Sequence, residues 1–207
     1  MPNILTRINL PLLGSLLFLL GSGSPPPYFE NGMKEYKGGN YALAFEIWHP
    51  LGISGNVEAQ FYLGTMYDLG EGVTKNLSKA SEWYRKAAKQ KHITAQYNLA
   101  WMYRFGKGVE KNHKKALNLF TLAANKGLAI AQFSLGSMYR FGEGATKNLI
   151  LAHSWTNIAS MQGNHAATRN REAIESEMTS IEIQEAKRLA SKCKLKDFVG
   201  CVNLLTY

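Results

Sequence analysis

The sequence predicts an all-α protein, an open superhelix of stacked helical hairpins, and three observations carry that prediction. Ala59-Gln60-Phe61, Ala95-Gln96-Tyr97 and Ala131-Gln132-Phe133 open three units spaced 36 residues apart without a gap. A constant period in this range marks a stacked repeat rather than a closed catalytic domain. The match also runs deep within each period. Met66/Met102/Met138, Tyr67/Tyr103/Tyr139, Gly70/Gly106/Gly142, Gly72/Gly108/Gly144 and Asn76/Asn112/Asn148 recur, followed by Ala80/Ala116/Ala152 and Ala87/Ala123/Ala159. Finally, Ala59, Leu63, Met66 and Tyr67 step by three and four, as do Leu77, Ala80, Tyr84 and Ala87, so each half of a unit is a helix.

At the start of the chain, Arg7 precedes the apolar run Ile8 to Leu20, and Gly21-Ser22-Gly23-Ser24 follows. Residues 1–24 read as a secretory signal peptide, because the run is short for a bilayer span, which needs about 20 residues. The alternative is a retained N-terminal anchor, in which case the protein would face the periplasm from the membrane. No Cys follows the run, so a lipid-modified leader is not expected. Pro25-Pro26-Pro27 (25–27) forms a stiff spacer.

Residues 28–58 make a degenerate first repeat. Tyr36-Lys37-Gly38-Gly39-Asn40-Tyr41 reverses the chain, and Ala44, Ile47, Trp48 and Leu51 continue a helical face. Ala44 lies one period before Ala80, so this unit keeps phase, and its shortened loop suits an end cap. Three full units then occupy 59–94, 95–130 and 131–166. In each, the two glycines supply the positive φ that a tight reversal needs, and the Asn caps the second helix by accepting from its free N–H groups. Alanine in columns 80 and 87 lets helices approach, and Trp83, Leu119 and Trp155 fill the space opposite. A lone hairpin of this kind cannot bury both faces, so the units must stack.

Residues 167–207 are expected to hold capping helices and a tail. Ala166, Arg169, Ala173, Ile174 and Met178 read as a last first-type helix. Thr179-Ser180-Ile181-Glu182 has the form of a capping box and leads into a helix running to about Lys194, with Ile183, Ala186, Leu189 and Ala190 on one face. Its polar outer side, Glu182, Glu185, Lys187, Arg188 and Lys192, is what a terminal repeat needs.

The pattern Ala-Gln-x-x-Leu-Gly-x-Met-Tyr-x-x-Gly-x-Gly-Val, then Asn-x-x-x-Ala-x-x-Trp-Tyr-x-x-Ala-Ala-x-x-Gly, resembles the Sel-one-like repeat, a relative of the tetratricopeptide repeat. The resemblance covers Ala59 to about Asn164 and rests on glycine spacing as well as apolar periodicity. The chain departs from it at Lys91 and Ala100, where Gly is usual, at Ala145, where Val is usual, and at Leu119-Phe120, where Trp-Tyr is usual. The resemblance implies a right-handed α-α superhelix of helix-turn-helix repeats whose first helices line the inner side. It also implies an adaptor that binds proteins in signalling, envelope or host-interaction complexes.

On that inner side, the positions that vary between units are Thr65/Trp101/Ser137 and Asp68/Arg104/Arg140. Trp101 with Arg104 and Arg140 forms an aromatic and cationic set suited to a protein or peptide ligand; the competing account packs Trp101 between helices and leaves the arginines solvated. Cys193 and Cys201, the only cysteines, would form a local disulfide in an exported protein, or remain two thiols in a reducing compartment. Export to the periplasm or beyond, in a bacterium, is the expected location.

Chemistry is scarce. The formal charge of +9 favours acidic partners. Yet Lys187, Arg188, Lys192, Lys194 and Lys196 are interrupted by Glu182, Glu185 and Asp197, a solvated face rather than a nucleic-acid site. A membrane is a partner only if the leader is retained. Ser191-Lys192-Cys193-Lys194 fits Ser-x-x-Lys, but no Lys-Thr-Gly or Ser-Asp-Asn completes it; an envelope enzyme of the penicillin-binding or β-lactam-hydrolysing type is therefore the second reading. His49, His92, His113, His153 and His165 show no metal-ligand spacing, and no cofactor is expected. Gly70-Glu71-Gly72 lacks the Lys-Ser/Thr of a phosphate loop. The sequence is read as a non-enzymatic binding scaffold.

Overall fold

A computed structural model of the chain describes residues 27–194, 196 and 198–201. The expected leader, with Pro25 and Pro26 of the spacer, lies outside the described residues. Among the described residues there are ten α-helices and no strand. In order they are α1 (Pro27–Lys37), α2 (Tyr41–Ile53), α3 (Val57–Leu69), α4 (Leu77–Lys89), α5 (Ile93–Phe105), α6 (His113–Asn125), α7 (Ala129–Phe141), α8 (Leu149–Met161), α9 (His165–Glu175) and α10 (Ser180–Lys194). From α1 to α9 each helix packs on the next, which makes a solenoid of helical hairpins.

The local chemistry recurs with the period. Helices α3, α5 and α7 stop at Gly70, Gly106 and Gly142, each left-handed. The loop then folds back, and the N–H groups of Asn76, Asn112 and Asn148 donate to the carbonyls of Tyr67, Tyr103 and Tyr139 at 2.8, 2.8 and 2.9 Å. Each of these Asn side chains accepts from a backbone N–H three residues on, capping α4, α6 and α8. The second glycine of the loop does more than turn the chain. A Cβ on Gly108 would stand 2.3 Å from the backbone of Leu77, the first residue of α4, and Gly72 and Gly144 meet Tyr41 and His113 in the same way. The loop thus seats its backbone on the start of the preceding unit's second helix, where only Gly fits.

The core is a continuous seam. Ala59, Leu63, Met66, Ala80 and Ala87 are fully buried, and their equivalents along the chain are fully or almost fully so. Gly64 and Gly136 sit under Tyr84 and Thr156, too close for a side chain. Between them the position is Ala100, buried in one cluster with Phe120. A second buried column was not anticipated. Gln60, Gln96 and Gln132 donate through Nε2 to the carbonyls of Gly52, Ala88 and Ala124 at 3.0, 3.3 and 3.2 Å. Each adds a second donor to a last-turn carbonyl of the preceding helix, which also accepts from the N–H of Gly55, Lys91 or Gly127 in the turn that follows.

The ends are closed differently. At the first end Trp48 is buried and stacks on Phe29 and on the partly buried Tyr62, and its Nε1 donates to the Phe29 carbonyl at 3.1 Å. At the last end α10 packs on α8. That burial accounts for the continuous buried run from Ala152 to Ala159, polar residues included. The expected face of α9 differs by one residue. Ala167 and Ile174 point inward, Ala166 and Ala173 are exposed, and Met178 lies beyond the helix. Ala167 keeps the 36-residue phase with Ala131, and packing follows that phase. The capping box is present: Thr179 N–H donates to Glu182 at 2.8 Å and Glu182 N–H to Thr179 Oγ1 at 3.3 Å. Cys193 and Cys201 form a disulfide with both residues fully buried. It folds the tail back against the α6–α7 turn, where Gly200 N–H donates to the Asn125 carbonyl at 2.9 Å.

Candidate functional site

The variable positions lie on the first-type helices. Thr65 and Asp68 belong to α3, Trp101 and Arg104 to α5, Ser137 and Arg140 to α7. Trp101 is 43% exposed and packs against Phe105 with the rings tilted, 4.9 Å between centroids. Phe105 is itself exposed, as are Phe141 one unit on and Leu69 one unit before. This apolar column just ahead of the loop glycine was missed in the sequence, although Leu69, Phe105 and Phe141 stand in register. Its signal is a large apolar residue that recurs outside the buried stripe.

The two arginines are not free cations. Arg104 Nε donates to Glu143 at 2.6 Å, and Arg104 also donates to Ser137 Oγ at 3.0 Å. Arg140 donates to Glu177 at 2.7 and 2.9 Å, to Asn170 at 2.8 Å and to the Ala173 carbonyl at 3.1 Å. Each guanidinium, its side chain only 14% or 17% exposed, therefore stitches its unit to the next. The flat faces remain useful, lying 5.3 and 5.4 Å from the rings of Phe105 and Phe141. Glu177 is held below the ordinary carboxylate range by Lys147 and Arg140.

Thr65 and Asp68 occupy a different setting. The Tyr84 hydroxyl lies 3.3 Å from Thr65, and burial pushes the Asp68 carboxyl above its usual range while Lys75 pulls it down. The proposed set is thus split between an aromatic pair open to solvent and cations that bridge units.

Two of the histidines have structural roles. His92 caps α5, accepting at Nδ1 from Ala95 N–H at 3.1 Å. His153 is fully buried, with Nε2 2.9 Å from Glu175, and Glu175 also meets Lys187 at 3.2 Å. Burial lowers the His153 imidazole pKa against the opposing pull of Glu175, and the bond to His153 in turn lowers Glu175. Ser191 lies exposed on α10 and its hydroxyl donates to the Lys187 carbonyl at 2.9 Å. Among the described residues there is no group of three or more His, Cys, Asp or Glu able to hold a metal ion, and no helix long and apolar enough to cross a membrane.

Comparison with known proteins bears on the repeat directly. The family model of the Sel1 repeat matches residues 57–92, 93–128 and 129–164. Among solved structures, a Sel1 repeat protein from Oxalobacter formigenes superposes with a TM-score of 0.67 at 28% identity, covering 79% of this chain and 74% of that one. A protective antigen of uropathogenic Escherichia coli displaying an SLR fold gives a TM-score of 0.57 at 29% identity, covering 80% of this chain. The chain spans 44% of that antigen's length. No curated protein matches the chain.

Proposed function

The chain belongs to the Sel1 repeat family, whose repeats mediate protein–protein interactions, and on that premise we propose that it is a non-enzymatic scaffold, exported to the bacterial envelope, that holds a protein or peptide on its curved surface. The observation that carries this reading is the solvent-facing Trp101–Phe105 pair with Phe141 in the next unit. Large aromatic side chains left exposed on a rigid helix face are the residues that dominate binding energy when covered. Arg104 and Arg140 hold that face in register and offer their planes to the same ligand.

Export is supported by the leader pattern of residues 1–24 and by the buried Cys193–Cys201 disulfide, which persists in oxidising compartments. N-terminal sequencing of the mature protein separates a cleaved leader from a retained anchor.

Affinity capture from an envelope extract tests the binding reading, with Trp101→Ala/Phe105→Ala beside the unaltered chain. Specific partners are expected to be lost by about ten-fold or more. An unchanged captured set refutes the proposed face. A covalent β-lactam probe tests the enzymatic alternative, and labelling at Ser191 would establish it.

A further inference from the structure

On the side formed by the second-type helices, a cavity of about 500 Å³ opens between α4 and α6, with Gln96 and Leu99 of α5 beneath it. The chain's own repeats explain why it exists. In the preceding groove Trp83 is 8% exposed, its ring lies over Gly52, and Lys86 sits 3.8 Å above it. In the following unit Trp155 is buried in the core. Between them the same position is Leu119, which lacks the indole and leaves its space unfilled.

Two further departures from the period line the same cavity. Gln90 and Gln162 donate to Gln60 and Gln132, but the equivalent residue is Lys126, which makes no such bond to Gln96. Gly55, Gly127 and Gly163 turn the chain with positive φ, and the equivalent residue is Lys91, held at φ 67. A non-glycine residue there costs about 1 kcal/mol, and such strain collects at functional sites. Substitutions drifting independently would scatter over the surface; Lys91, Leu119 and Lys126 converge on one opening.

The charge selects the occupant. Arg85 and Lys89 of α4 join Lys91 and Lys126 around the apolar floor, and none is ion-paired among the described residues. One carboxylate, as in a fatty acid, cannot answer four cations drawn from three parts of the chain. A peptide bearing a large apolar side chain between acidic residues can. We propose that this groove is a second binding site, distinct from the Trp101 face, for an acidic peptide segment of a partner that inserts an aromatic or branched apolar side chain where the indole is missing.

The test uses a fluorescein-labelled peptide with Trp-Leu at its centre and glutamates on both sides, read by fluorescence anisotropy. Saturable binding is expected, weakening with salt. Leu119→Trp, which restores the residue of the neighbouring repeats, should keep the thermal midpoint and lower affinity by about ten-fold or more. Lys91→Gly with Lys126→Gln should weaken binding while leaving the fold at least as stable. Replacing the peptide's Trp-Leu by Ala-Ala, or its glutamates by lysines, should abolish binding. Trp101→Ala/Phe105→Ala should leave this binding intact, so the two faces fail separately. No saturation up to about 1 mM, equal binding by Leu119→Trp, or preference for dodecanoate over the peptide would each overturn the proposal.

Discussion

Replacing Gly108 by alanine separates two roles that the repeat's second glycine plays at once. Gly163 supplies the comparison: its φ is +85 and an added Cβ would meet nothing within 4 Å. Gly163→Ala therefore pays only for left-handed backbone in an L-residue, about 1 kcal/mol. Gly108 has φ +69, and its added Cβ would lie 2.3 Å from the carbonyl carbon and oxygen of Leu77. Those are backbone atoms at the start of α4 and cannot swing away as a side-chain end would. The loop must lift from the preceding unit, at a further cost of about 1–3 kcal/mol typical of overpacking. Gly108→Ala should thus cost about 2–4 kcal/mol, against about 1 for Gly163→Ala. Urea unfolding of the oxidised protein, followed by circular dichroism, measures both midpoints. Equal losses would mean that the loop does not bear on the preceding helix, and the account of how neighbouring units are seated would fail.

Two other outcomes follow from the last unit. Closing an eight-residue separation through Cys193–Cys201 should contribute about 2.5 kcal/mol in the chain-entropy model, so Cys193→Ser/Cys201→Ser should lower the urea midpoint, and added reductant should then change nothing further. Because burial depresses the His153 pKa, the unfolded chain takes up a proton near pH 6.5 that the folded imidazole refuses. Stability should be full above about pH 6.5 and fall with acidification below it. His153→Gln should lose that component, and a wild-type protein that gains stability relative to it on acidification would show a charged His153–Glu175 pair instead.

Much of the fold was legible because the repeat writes its requirements in residue types that report local constraints. Asn148 caps α8, Gly142 ends α7, and the Thr179–Glu182 box starts α10, all through atoms within a few residues of one another. The proposed binding face was legible only in part. Trp101 marks it, but Arg104 and Arg140 read as free cations until Glu143 and Glu177, far along the chain, are seen beside them. Phe105 and Phe141 recur in register with Leu69 outside the buried stripe, but that recurrence does not say whether another part of the chain covers them.

The 36-residue phase determined the helices, their caps and reversals and the order in which the units lean on one another, since each depends on contacts a short step along the chain. Tertiary structure alone decided where α10 lies, why α8 is buried on every side, and that Lys91, Leu119 and Lys126 border a single opening. Those outcomes depend on groups brought together from separate helices, and a periodic sequence specifies neighbours in the row without specifying how the row is closed or where it is left unfilled.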